Sequence, residues 1–111
     1  MSSKTIIIGS EGMGKGDDKL GGLLMANFLR LLADSPEKPA KIAFWNTGVR
    51  LCCEGSNVLA HLTRLAEQGV EIVSCTTCLE YFDLTAGLKV GKPTTMIKSI
   101  ESMLNTDTIV I

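Results

Sequence analysis

The sequence predicts an α/β fold in which a mostly parallel sheet is covered by helices on both faces. Three observations carry this. Thr5-Ile6-Ile7-Ile8, Ile42-Ala43-Phe44-Trp45, Val70-Glu71-Ile72-Val73 and Thr108-Ile109-Val110-Ile111 are short apolar runs of the kind expected of strands buried on both faces. Stretches with the i, i+3, i+4 spacing of amphipathic helices alternate with them. Turn residues fall between the two kinds of segment. The 111 residues are one domain's worth of chain, so a single domain over 1–111 is expected.

Taken in order, Thr5–Ile8 is a strand ended by Gly9, followed by the glycine-rich loop Gly9-Ser10-Glu11-Gly12-Met13-Gly14-Lys15-Gly16. Asp17 and Asp18 sit where a helix starts, because carboxylates are favoured at its positive end. Leu20, Leu23, Leu24, Phe28, Leu31 and Leu32 form its apolar stripe, and Asp34-Ser35-Pro36 stops it. After a turn at Pro36–Pro39, the second strand runs to Trp45 and ends in Asn46-Thr47-Gly48. Val49 to Gly55 fits a bend or a short helical turn. Ser56 is placed as the cap of a second helix with Leu59, Leu62, Leu65 and Ala66 inward, closed by Gly69. The third strand, Val70–Val73, delivers Ser74-Cys75-Thr76-Thr77-Cys78. Leu84–Gly87 reads as the end of a short helix and Leu88-Lys89-Val90 as a short strand, with a break at Gly91-Lys92-Pro93. Thr94 caps a last helix with Met96, Ile97, Ile100, Met103 and Leu104 on one face, and Thr108–Ile111 is the last strand.

Apolar residues make up 45% of the chain and mean hydropathy is +0.25, enough for a packed core. A net charge of −1 with both signs interspersed gives no electrostatic footprint for nucleic acid or an anionic membrane. No run approaches the roughly 18 apolar residues of a membrane span. Met1-Ser2-Ser3-Lys4 leads straight into a strand and lacks the apolar core of an export signal, so a cytoplasmic location is expected. In that compartment the four cysteines are thiols: packing residues, metal ligands or reactive groups.

Cys75 and Cys78 fall where a strand hands over to a helix or loop, the end of an open α/β sheet where ligands collect. A helix starting at Leu79 would put Cys78 at its N-terminus, where the dipole lowers a thiol pKa, with Cys75 as resolving partner. Dithiol redox chemistry, sulfur carriage as a persulfide, zinc binding and plain packing all fit the pair. Against zinc, the adjacent Cys52-Cys53 is not a chelating spacing, so no metal is expected. The loop Gly9–Gly16 comes close to a phosphate-binding loop, but Gly16 stands where a Ser or Thr hydroxyl should hold Mg²⁺ and two aspartates follow. That argues against nucleotide chemistry. Its backbone N–H groups at Gly12, Gly14 and Gly16 remain candidate donors to an anion, and Asn46 and Thr47 candidate ligand contacts. His61 has no catalytic pair nearby in sequence.

These motifs together resemble the DsrE-like sulfur-relay proteins, and most of all the DsrE-like half of the YedF proteins associated with selenium metabolism. The residues that carry the resemblance are Gly9 to Gly21, Phe44-Trp45-Asn46-Thr47-Gly48-Val49, Glu54-Gly55-Ser56, Ser74 to Phe82, and Val90-Gly91. The resemblance implies a three-layer α/β/α fold with a five-stranded, mostly parallel sheet, and a homo-oligomer, trimeric or hexameric. It also implies sulfur carried as a persulfide on the loop that holds Cys75 and Cys78, with Cys78 favoured as nucleophile, and no cofactor. YedF proteins carry a TusA-like domain ahead of this one. Here the chain begins at the DsrE-like strand, so two expectations stand: a TusA-like carrier on another chain as the partner, or a domain cut from a longer protein. Selenium in place of sulfur is chemically open. The contrasting expectation is a non-catalytic binding or redox-sensing module whose cysteines are structural.

Overall fold

The computed structural model describes residues 3–111; Met1 and Ser2, part of the stretch read above for an export signal, lie outside the described residues. Strand β1 (Lys4–Ile8) is followed by α1 (Asp18–Asp34), β2 (Lys41–Phe44), a 3₁₀ turn (Asn46–Cys52), α2 (Leu59–Glu67) and β3 (Glu71–Cys75). Then come α3 (Thr76–Tyr81), a short 3₁₀ turn (Thr85–Gly87), β4 (Lys92–Thr94), α4 (Met96–Asn105) and β5 (Asp107–Val110). The five strands form one all-parallel sheet in the order β4-β3-β2-β1-β5. This is the three-layer α/β/α fold expected.

Register decides which side chains share a face. Ile6, Ile42 and Ile72 are aligned across β1, β2 and β3, and with Ile8 and Phe44 they form the larger core against Met25 and Leu29 of α1 and Leu62 and Leu65 of α2. Ile7, Ala43 and Val73 point the other way and make a smaller core with Trp45. Helix α4 covers that second face: Ser102 Oγ accepts from Lys41 Nζ at 2.7 Å, and the Thr5 and Thr106 hydroxyls are 2.9 Å apart. Asp17 caps α1, its carboxylate accepting the Leu20 N–H at 2.9 Å.

Several expectations are corrected. The fourth strand is Lys92–Thr94, not Leu88–Val90. Leu88 makes an isolated antiparallel bridge to Cys53, and the Lys89 and Val90 N–H groups both go to the Cys52 carbonyl, which leaves none for a ladder. Pro93 is tolerated because β4 is an edge strand. Helix α2 begins at Leu59 rather than after Ser56, whose hydroxyl instead accepts the Val58 N–H. The Leu84–Gly87 stretch closes as a 3₁₀ turn. The apolar stripe assigned to α1 is only in part its inward face: Phe28 and Leu32 pack half-buried against the core, and the rest of the stripe does not. Gly21, Met25, Leu29 and Ala33 are buried, while Leu20, Leu23, Leu24 and Leu31 are exposed. Helix α4 likewise turns its apolar stripe outward. No helix among the described residues is long and apolar enough to cross a membrane.

Candidate functional site

Strand β3 extends through Cys75, and α3 begins at Thr76, three residues earlier than expected. Cys75 is therefore the residue before the helix and is buried, its side chain making no cap hydrogen bond. Cys78 lies in the first turn, half-buried. Both are free thiols. The handover brings the two thiols close enough for Cys75 to act on the titration of Cys78. The end of β2 supplies the third component. Asn46, at φ +52°, donates its backbone N–H to Cys78 Sγ at 3.1 Å, while its own Oδ1 accepts the Thr47 N–H at 2.8 Å. Left-handed backbone is uncommon outside glycine, and Asn is among the residues that tolerate it. Here it aims a main-chain donor at a thiol.

The turn that carries Asn46 is held close to the sheet by Gly48. A Cβ at that position would fall 2.5 Å from the Ile8 carbonyl oxygen and 3.2 Å from the Ser10 nitrogen, both backbone atoms. Glycine is needed there for space.

Cys78 opens into a surface hollow of about 420 Å³ lined by Asn46, Thr77, Cys78, Tyr81 and Phe82. Its walls come from α3 and its C-terminal cap residue Phe82, with Thr77 and Tyr81, and Cys78 and Phe82, each four residues apart, and from Asn46 of the turn after β2. Tyr81 is 82% exposed. It meets Phe82 edge-on at 5.2 Å between ring centroids, and the Arg50 guanidinium lies over the Phe82 ring at 4.7 Å. Tyr81, Phe82 and Arg50 were missed as site residues, although the i, i+4 spacing of the aromatics from Thr77 and Cys78 was visible in the sequence.

The Cys78 thiol titrates above the ordinary thiol range. Burial is the main cause, the hydrogen bond with Cys75 adds to it, and the Asn46 N–H works in the opposite direction. The expectation of an acidified Cys78 is thereby corrected: the helix dipole does not outweigh desolvation and the neighbouring thiol, and Cys78 rests as a thiol at neutral pH. Cys52 is pushed up to about 12 by burial, partly offset by the Ser74 hydroxyl. Cys52 and Cys53 are almost fully buried, and Cys53 donates to the Val49 carbonyl at 3.2 Å. They are packing residues. No group of three or more His, Cys, Asp or Glu side chains able to hold a metal occurs among the described residues.

The glycine-rich loop lies over the start of α1. Gly12 and Gly14 line a cavity of about 350 Å³ together with Thr47, but Gly16 and Asn46 do not. The expected anion loop and Cys78 thus line separate cavities, with Asn46-Thr47 standing between them. The Met13 N–H is spent on the Gly21 carbonyl at 3.0 Å, and Asp17 occupies the helix-capping position. Glu11, Asp17 and Asp18 all face this cavity, which sets it against a phosphate.

The architecture is that of YchN. The chain superimposes on the YchN protein of E. coli with a TM-score of 0.75 at 16% identity, covering 100% of both chains. It matches MTH1491 of Methanobacterium thermoautotrophicum, a protein of unknown function, at 0.69 and 18% over 97% of each chain. BT1422 of Bacteroides thetaiotaomicron, also of unknown function, matches at 0.66 and 17% over 98% of this chain and 95% of that one. No protein-family model and no curated protein sequence matches this chain. At these identities the likeness establishes a shared fold.

Proposed function

We propose that this protein is a sulfur carrier of the DsrE-like type, holding sulfane sulfur as a persulfide on Cys78. The observation that carries the reading is the convergence of three groups: a half-exposed Cys78 thiol, a buried Cys75 thiol in contact with it, and the Asn46 N–H aimed at Cys78 Sγ. The sequence motifs shared with the DsrE-like proteins and the fold shared with YchN support it.

Loading is an exchange without net oxidation. Cys78 sulfur bonds to the outer sulfur of a donor persulfide, the donor's S–S bond breaks, and the departing donor thiolate takes the proton that Cys78 gives up. The products are a donor thiol and Cys78 persulfide. The Asn46 N–H is placed to stabilise negative charge on Cys78 Sγ during attack, and on the same atom when it leaves. Discharge runs by either of two routes. An acceptor thiol attacks the outer sulfur and regenerates Cys78, or Cys75 attacks Cys78 Sγ, forming a Cys75–Cys78 disulfide and releasing hydrogen sulfide. The second route needs an external dithiol to restore the pair. A hollow walled by Tyr81 and Phe82 suits docking of a protein-borne persulfide, for which a TusA-like carrier is the partner class the resemblance implies. The likeness to YedF proteins makes selenium an alternative cargo, to be assayed beside sulfur.

The test is intact-protein mass spectrometry after incubation with a persulfide donor, on wild type, Cys75→Ser and Cys78→Ser. The expected result is a gain of about 32 Da, one sulfur, on wild type and Cys75→Ser and none on Cys78→Ser. No adduct on a folded, reduced protein would overturn the carrier reading. The contact between the two thiols also favours a second reading, a redox-sensing module. In that case a mild oxidant closes the Cys75–Cys78 disulfide while persulfide donors leave no adduct.

A further inference from the structure

The second face of the sheet holds a cavity of about 230 Å³ where α4 begins, with Lys41, Glu71, Lys92, Thr94, Thr95 and Lys98 on its walls. Strand alternation puts them together. Lys41 and Glu71 are register partners and stand two residues before Ala43 and Val73, whose side chains make the core on this face. Lys92 pairs with Val73 and Thr94 with Cys75, so both point the same way. Lys98 comes from the first turn of α4, whose cap is Thr95. Three ammoniums against one carboxylate leave two positive charges in excess, on a chain whose net charge is −1.

The cavity is short of acceptors. Glu71 serves two lysines at once, with Oε1 3.6 Å from Lys41 Nζ and Oε2 3.9 Å from Lys92 Nζ. Both are ion-pair separations and too long for hydrogen bonds. Lys98 has no ion pair among the described residues. Lys92 alone has an ordinary explanation, since an edge strand gains from a lysine that blocks further pairing. Lys41 has none of that kind. It starts the central strand, its side chain is 18% exposed, and an ammonium held there without full pairing costs stability. Its hydrogen-bond acceptor is a single hydroxyl, Ser102 Oγ at 2.7 Å.

A buried hydroxyl points to the same space. Thr94 is 8% exposed and lies on the cavity wall, and its Oγ1 makes no hydrogen bond among the described residues. The neighbouring Thr76 hydroxyl is spent on the Thr94 carbonyl at 2.9 Å. Thr95 Oγ1 accepts the Lys98 N–H and keeps its own proton to donate. Apart from Glu71, the polar groups around the cavity are donors, and the positive end of α4 opens beside them.

We propose that this cavity binds a small dianionic oxyanion of the sulfate or phosphate class. Two positive charges in excess match a dianion, and ammonium and hydroxyl donors match its tetrahedral oxygens. The volume is below the roughly 300–1,000 Å³ of pockets for drug-sized ligands, which suits a free ion or one phosphoryl group of a metabolite. The glycine-rich loop, which the sequence suggested for an anion, is lined by carboxylates instead. Neither Cys75 nor Cys78 lines the cavity, and the site does not rest on the carrier reading.

The test is isothermal titration calorimetry of the full chain with sodium sulfate, sodium phosphate and glycerol 2-phosphate in turn. It is run at about pH 8, where the phosphoryl probes are mainly dianions, with sodium chloride holding ionic strength constant. The chains compared are wild type, Lys98→Gln, Thr94→Val and Lys19→Gln, the last removing an exposed lysine of α1 outside the cavity. Expected is saturable one-to-one binding of at least one dianion by wild type. Lys98→Gln and Thr94→Val should each weaken it about tenfold, the effect of losing one hydrogen bond to a charged group, and Lys19→Gln should not. Binding of the free ions alone marks an inorganic ligand and equal binding of glycerol 2-phosphate marks a phosphoryl group; either supports the site. Circular dichroism and Cys78 alkylation matching wild type would show that Lys98→Gln still folds. Neither saturable heat nor a rise in Tm with any of the three probes would overturn the proposal. So would binding indifferent to both cavity variants, or an equal loss in Lys19→Gln. Cys78→Ser should bind as wild type does, so failure of the carrier reading leaves this result untouched.

Discussion

Replacing Asn46 tests whether its backbone N–H tunes Cys78. At φ +52° the position suits Gly, tolerates Asn and strains a β-branched residue. Asn46→Gly should keep the N–H on Cys78 Sγ and lose only the Oδ1 contact with Thr47. Asn46→Val should relax out of the left-handed region, because that backbone costs about 1–2 kcal/mol for an ordinary residue, and carry the donor away from the sulfur. A hydrogen bond at a partly exposed site is worth about 1 kcal/mol, so the thiolate fraction of Cys78 at neutral pH should fall about fivefold. Part of that is returned, because a less acidic thiol is a better nucleophile, with a Brønsted coefficient of about 0.4–0.5. The net expectation is alkylation about two- to threefold slower at pH 7, with the inflection of the pH–rate profile moved upward. Cys52, Cys53 and Cys75 are buried, so iodoacetamide reports on Cys78 first, with the site read by peptide mass. An Asn46→Val profile superimposable on wild type would refute the donor role, and because no sulfur is loaded, it would leave the carrier reading standing on its own test.

Two further outcomes follow from the same region. Gly48→Ala forces a methyl against the Ile8 carbonyl and should cost about 1–3 kcal/mol. That lowers Tm by roughly 5–15 °C and shifts the Cys78 alkylation profile with the displaced turn; an unchanged melt would refute the close packing of the turn on β1. The folded chain keeps the Cys52 proton up to about 12, whereas the unfolded chain releases it near the ordinary thiol range. Stability from this group is therefore full below the unfolded thiol pKa and is lost as pH rises towards 12, by up to about 4 kcal/mol. Denaturant unfolding of wild type and Cys52→Ala from pH 8 to 11 should show a shallower decline in the variant, and parallel declines would exclude Cys52 as a source.

The buried strands could be read from sequence because a parallel sheet covered on both faces demands unbroken apolar runs, and Thr5–Ile8 and Ile42–Phe44 supply them. The fourth strand was hidden. It is three residues long, contains Pro93, and exists because β3 offers it an edge, which no local pattern encodes. Helix positions were legible and helix faces were not. In α1 the apolar residues extend beyond the arc that the sheet can cover, so the 3.6-residue period fits an exposed set as well as the buried set of Met25, Leu29 and Ala33. In α4 the inward residues are Ser99 and Ser102, and a rule that puts apolar residues inside inverts the helix. Both misreadings mark surface whose apolar character the isolated chain does not use.

The site divides in the same way. The paired cysteines announce themselves by residue type, while the donor that meets Cys78 is a main-chain N–H, which has no signature beyond the Asn-Thr-Gly that ends β2. Helix-dipole reasoning pointed to an acidic Cys78, and burial of the thiol, with the neighbouring Cys75 adding to it, reverses the sign. That reversal is compatible with carriage. A Cys78 that rests as a thiol is a poor target for oxidants, which attack thiolates, while exchange with a sulfane donor still proceeds through the minor thiolate, whose nucleophilicity rises with its pKa. Once sulfur is bound, a persulfide replaces the Cys78 S–H, and the neighbouring Cys75 faces an electrophilic sulfur atom. The same proximity that helps quiet the empty site thereby places the attacking group for reductive release.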